Sequence, residues 1–129
     1  MNAMPRTLHT ASRTVDFASI LNYAEVTRDW NPIHVDPAFA ARTPMGGVIA
    51  HGTLSLALIW QALRLTLGAQ ALDRVMLDIR FVRPVRVDDV VTGGGVQRDE
   101  AVDVWDVWVK NQKDENVIVG TATLRSVEQ

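Results

Sequence analysis

Apolar residues recur at helical spacing between Phe17 and Thr27, where Phe17, Ile20, Leu21 and Ala24 share one face and Asp16 stands ready as the N-cap. Asp36-Pro37 pairs an N-cap residue with a proline at the first helical position and predicts a short helix over Pro37 to Arg42. Thr43-Pro44-Met45-Gly46-Gly47 reads as a loop. The most hydrophobic segment then runs from Thr53 to Leu67, with Leu54, Leu56, Ala57, Leu58, Ile59, Trp60, Leu63, Leu65 and Leu67 around most of its circumference. A helix apolar on nearly all sides is normally buried, and Gly68 is its natural stop.

Beyond Gly68 the period changes from helical to alternating. Arg74 to Phe81 sets Val75, Leu77, Ile79 and Phe81 on one face of a strand. Asp88-Asp89 opens a second strand to about Val96. Ala101 to Asn111 and Asn116 to Ser126 follow as a hairpin through Gln112-Lys113-Asp114-Glu115. Gly93-Gly94-Gly95 inside a strand predicts a bulge or a close approach of backbones. Short helices, one long buried helix and then an antiparallel meander give an α+β class, packed as a curved sheet around the central helix. In the run Val102 to Val109, Trp105 and Trp108 load both faces of a strand, which predicts either a register shift near Asp106 or a partner over the second face.

Composition narrows this picture mainly by exclusion. Residues 1–129 are the size of one domain, with 47% hydrophobic and 22% charged residues. A net charge of −2 gives no basis for nucleic-acid or membrane-surface binding. The chain has no cysteine, which removes disulfides, thiolate catalysis and Cys-ligated metals. Met1 to Arg6 is not followed by a signal-like apolar stretch, and Thr53 to Leu67 is too short to span a bilayer. A cytoplasmic location is the expectation.

Candidate chemistry concentrates in Arg28-Asp29-Trp30-Asn31-Pro32-Ile33-His34-Val35-Asp36. Asn-Pro favours a turn, and the residue before proline is pushed out of the helical region. The bend can bring the Asp29 carboxylate and the His34 imidazole to one small volume, where a single water could touch both. Carboxylate and imidazole are common proton-transfer groups in enzymes. Asn31 is suited to fix the turn through local hydrogen bonds and to line the site. A metal reading of His34, Asp36 and His51 lacks both helical His-x-x-x-His spacing and a clear third ligand, since Asp36 already serves as an N-cap; no metal is expected. His51 is expected to shape the loop before the central helix.

Asp29-x-Asn31-Pro32-Ile33-His34-x-Asp36-x-x-Phe39-Ala40, followed by Gly46-Gly47-x-Ile49-Ala50-His51-Gly52, resembles the hydratase motif of the MaoC-like, (R)-specific enoyl-CoA hydratase family. The likeness extends over about residues 15 to 125 and includes Arg80-Phe81-Val82-Arg83-Pro84-Val85-x-Val87-x-Asp89. It implies the hot-dog fold, in which an antiparallel sheet wraps a long helix. It also implies reversible syn hydration of a trans-2-enoyl thioester to the (R)-3-hydroxyacyl thioester. The substrate would be an acyl thioester of coenzyme A or acyl-carrier protein, with no cofactor beyond the coenzyme A of the substrate itself. A homodimer or higher homo-oligomer is implied as well.

The resemblance assigns Asp29 and His34 as the catalytic positions and leaves open which is the base. The Gly52 N–H, at the start of the central helix, suits the developing charge on the thioester oxygen. Among the arginines, Arg83 is the candidate for the coenzyme A phosphates. Trp30, Trp60 and Leu63 either limit acyl length or belong to the core. Two other classes compete: a hot-dog acyl-CoA thioesterase, and an acyl-binding subunit of a heteromeric hydratase. Thioesterases of this fold lack the Asp-His constellation on an Asn-Pro turn, and a non-catalytic subunit is expected to have lost one of the two residues.

Overall fold

The computed structural model describes residues 4–126; the first three residues of the leading segment and the last three of the chain lie outside the described residues. Strand β1 (Ala11–Val15) precedes helix α1 (Phe17–Thr27), and two short helices follow, α2 (Pro32–Val35) and α3 (Pro37–Ala41). The long helix α4 (Gly52–Leu67) comes next, then a 3-10 turn over Ala69–Arg74. The chain ends in strands β2 (Val75–Phe81), β3 (Asp89–Arg98), β4 (Ala101–Lys110) and β5 (Asn116–Leu124). All five strands form one antiparallel sheet in the order β1-β3-β4-β5-β2, wrapped on α4. This is the hot-dog arrangement that the resemblance implies. No helix among the described residues is long and apolar enough to cross a membrane.

Local chemistry sets the helix ends. Asp16 caps α1, accepting a 2.7 Å hydrogen bond from the Ser19 N–H. The Ser19 hydroxyl and backbone, with Arg13 nearby, hold this carboxyl below the usual aspartate range. Asp36 caps α3, with Pro37 at its first position, as the sequence predicts. Gly68 stops α4, with a positive φ of 89° that glycine adopts freely. Buried positions on α4 are Leu54, Ser55, Leu58, Ile59, Ala62 and Leu63, a single wide stripe. The helix is therefore not buried all round: Leu65 is 63% exposed, and Leu56 and Trp60 are partly covered.

Two expectations about the sheet resolve in one direction each. The glycine triplet is a close approach rather than a bulge: β3 and β4 keep register through Gly93, Gly94 and Gly95, and the shift comes later, between Gln97 and Arg98. A Cβ on Gly93 would stand 2.9 Å from the Leu58 carbonyl carbon, inside contact distance of the helix backbone. Gly93→Ala should accordingly cost about 1–3 kcal/mol of stability, read as a lower urea midpoint; a wild-type midpoint would contradict the close packing.

Strand β4 alternates cleanly, with Trp105, Val107 and Val109 inward. The register holds where Val96 pairs Asp106 and Gln97 pairs Trp105, then shifts one residue on, where Arg98 pairs Ala101; the shift expected near Asp106 is thus present at Trp105, but not between the two tryptophans. Trp105 is fully buried, its indole N–H donating to the Pro5 carbonyl at 2.9 Å. Trp108 is partly covered by its own chain, since its ring lies over Gly94 and under the Lys110 ammonium, 4.8 Å from the ring centre. Trp105 and Trp108, three residues apart, thus fall on opposite faces of β4 by simple alternation.

Candidate active site

The turn after α1 is built by backbone chemistry. Arg28 takes the left-handed conformation (φ 58°), and the Asp29 N–H returns to the Ala24 carbonyl at 3.1 Å. Asn31 then caps α2: its Oδ1 accepts from the Ile33 N–H at 3.1 Å, with Pro32 at the first helical position. The Asp29 carboxylate accepts from the Asn31 N–H at 3.3 Å. Asn31 thus fixes the turn, and its side chain is not part of the cleft lining described below. Ile49 closes the arrangement from the other side, with its N–H on the Ile33 carbonyl and a bridge to Arg86.

His34 projects from α2 with Nδ1 2.7 Å from the Ile49 carbonyl oxygen. A carbonyl only accepts, so Nδ1 carries the hydrogen and the neutral ring presents a bare Nε2. His51, immediately before α4, is 3% exposed and orders the other half of the site. Its Nε2–H donates to the Asp29 backbone carbonyl at 2.9 Å. Its ring stacks on that of His34, with centres 4.0 Å apart and planes at 27°. Tyr23 meets the same ring edge-on at 5.0 Å, and its hydroxyl is anchored 2.6 Å from Thr53 Oγ1. His51 therefore does more than shape a loop: it ties the turn carrying Asp29 to the ring of His34. The Gly-Gly-x-x-x-His-Gly run carried that signal, but its spacing does not reveal where the imidazole points.

The structure brings together Asp29, His34 and His51, each offering a nitrogen or oxygen within 4.8 Å of the others. Asp36, the third group weighed in the sequence, faces the Phe39 N–H instead. One nitrogen of each ring already serves a backbone carbonyl.

Beside this group opens a cleft of about 370 Å³, lined by His34, His51, Gly52 and Ser55 at its polar end. Met45, Phe81, Val82, Val85 and Val117 supply apolar walls. Gly52 is the first residue of α4, so its N–H precedes the helical ladder, and it has no partner among the described residues. A Cβ there would meet the Phe81 ring at 2.8 Å, so glycine lets that ring close over the helix start. Phe81 stays 53% exposed although its strand position matches that of the inward Val75, Leu77 and Ile79. Trp30, Trp60 and Leu63 do not line the cleft. Leu63 is core, Trp60 packs against the core, and Trp30 is 48% exposed. Arg83 stands at the cleft, tied to the Asn116 carbonyl at 2.8 Å and 3.8 Å from Glu115.

Comparison with known proteins agrees with this arrangement. The profile of the family described as MaoC like domain matches residues 2–124. A 3-hydroxybutyryl-CoA dehydratase of Methylorubrum extorquens is 37% identical over 79 residues, 61% of this chain and 50% of that protein. Nodulation protein N of Rhizobium meliloti is 41% identical over 96 residues, 67% of this chain and 57% of that protein. The matches thus span 50% and 57% of the length of these curated relatives. Among solved structures, an unliganded R-hydratase from Pseudomonas aeruginosa superposes with a TM-score of 0.78 at 26% identity, covering 98% of this chain and 83% of that one.

Proposed function

Since the chain belongs to the MaoC-like domain family, we propose that it catalyses the reversible syn hydration of a trans-2-enoyl-CoA to the (R)-3-hydroxyacyl-CoA. The observation that carries this reading is the bare Nε2 of His34, set by the bond from Nδ1 to the Ile49 carbonyl, with the Asp29 carboxylate alongside. A water held between the two has one acceptor for each hydrogen. His34 takes one proton as the water oxygen bonds to C3 of the enoyl group. The π electrons move towards C2 and the thioester oxygen, where the Gly52 N–H and the α4 dipole favour negative charge. C2 then collects a proton from the same side, and the His34–Asp29 pair is restored. This assigns His34 as the base and Asp29 as the group that orients water and stabilises the imidazolium.

The apolar walls from Met45 to Val117 suit an acyl chain, and Arg83 is the cation placed to meet the coenzyme A phosphates. The reading treats residues 1–129 as one domain that works as a homodimer. Support for a second copy comes from β2, an edge strand, and the exposed Met76, Phe81 and Val82 on or beside it.

The test is absorbance at the enoyl-thioester band with crotonyl-CoA, alongside a thiol reagent. Loss of the band without thiol release is expected; thiol release would bring forward a thioesterase, and silence with crotonyl-CoA and longer enoyl-CoAs would contradict catalysis.

A further inference from the structure

Two buried side-chain polar atoms lack a hydrogen-bond partner among the described residues, His51 Nδ1 and Ser55 Oγ, and both residues line the same cleft. Ser55 is 1% exposed and sits three residues after Gly52, on the same face at the N-terminal end of the 16-residue helix α4. A helical hydroxyl ordinarily returns its proton to the carbonyl four residues back. Thr27 does so to Tyr23 at 2.8 Å, and Thr66 to Ala62 at 2.7 Å. Ser55 does not, and the His51 carbonyl accepts from the Leu54 N–H instead. An unpaired buried hydroxyl opposes folding, so its presence at the cleft calls for a partner that arrives with the ligand.

The tautomers decide what that partner is. His51 donates through Nε2 to the Asp29 carbonyl, so its Nδ1 offers only a lone pair and cannot stabilise an anion. Ser55 Oγ–H can. We propose that the Ser55 hydroxyl is the second donor to the thioester oxygen, completing with the Gly52 N–H a two-donor oxyanion site. This rests on the hydratase reading above. The hydroxyl forms and breaks no covalent bond; it donates one hydrogen bond that strengthens as charge moves onto the oxygen.

The experiment compares wild type, Ser55→Ala and Ser55→Thr in crotonyl-CoA hydration, thermal unfolding and calorimetric binding of the saturated butyryl-CoA. Ser55→Ala should lower kcat roughly 10²-fold, leave the butyryl-CoA Kd within about threefold, and keep or raise Tm, because an unpaired polar atom is removed. Ser55→Thr, which keeps the hydroxyl, should recover most of the rate. An active wild type with an unchanged Ser55→Ala kcat would overturn this role alone, and would mean that the hydroxyl meets only water. A lower Tm in Ser55→Ala, with rate lost equally in Ser55→Thr, would make it a packing residue. A wild type that hydrates no enoyl-CoA would overturn the reading beneath it, and this role as well.

Discussion

His34→Ala should lower kcat for enoyl-CoA hydration by about 10²–10⁴-fold, the largest loss expected of any single substitution in this chain. The reason is the direction of one hydrogen bond. Because Nδ1–H is committed to the Ile49 carbonyl at 2.7 Å, the nitrogen left for water is a lone pair, and the alanine variant has none. Folding should suffer little, since the net value of such a bond is only about 1 kcal/mol and His34 is half-buried. His34→Asn refines the test. Its side-chain amide can still donate towards Ile49, but nothing replaces Nε2, so it should be nearly as slow as His34→Ala. Stopped-flow decay of the enoyl band measures both variants. A His34→Asn protein with wild-type kcat would remove the base from this position.

Asp29→Asn should be the second most damaging change, lowering kcat about 10²-fold or more with KM almost unmoved. The substitution keeps shape, and the bond from the Asn31 N–H can persist because the new side chain retains an acceptor oxygen. The clamp from His51 is also untouched, for it reaches the Asp29 backbone carbonyl. What disappears is the negative charge beside His34, which stabilises the imidazolium formed as water gives up its proton. Steady-state kinetics and a thermal melt separate this from misfolding: the melt should overlay wild type. A rise in KM at constant kcat would instead make Asp29 a binding group.

The elements with strong periodicity were legible in the chain. Helices α1, α3 and α4 and strands β2 to β5 lie within a residue or two of their expected bounds, because the strands alternate, α4 is long and strongly apolar, and Asp16, Asp36 and Gly68 mark helix ends. Strand β1 was not legible. Ala11 and Val15 are its only buried positions, with three exposed residues between, and its pairing with β3 is made some 80 residues along the chain, from Ala11↔Gly93 to Val15↔Asp89. Helix α2 shows in the sequence only as a turn, although Asn31-Pro32 has the same N-cap and proline logic as Asp36-Pro37 at the start of α3. One turn of helix is too short to show a period.

The site divides in the same way. The closeness of Asp29 and His34 followed from a local bend. The roles of His51 and Ser55 did not, because the stack, the carbonyl clamp and the unpaired hydroxyl arise only when α4 docks against the turn. Phe81 illustrates the point from the sheet. Its alternation places it inward, yet it closes over Gly52 and joins the cleft wall.

Asp29 and His34, within 4.8 Å of each other and with His34 on the cleft wall, are proposed to deliver both the hydroxyl and the proton to one face of the enoyl group. The most direct measurement is crotonyl-CoA hydration in deuterium oxide, with the product resolved by chiral chromatography and its C2 deuterium placed by NMR. The expected product is (R)-3-hydroxybutyryl-CoA as the single stereoisomer, with one deuterium added at C2 syn to the new hydroxyl. An (S) or racemic product, or deuterium on the opposite face, would contradict it.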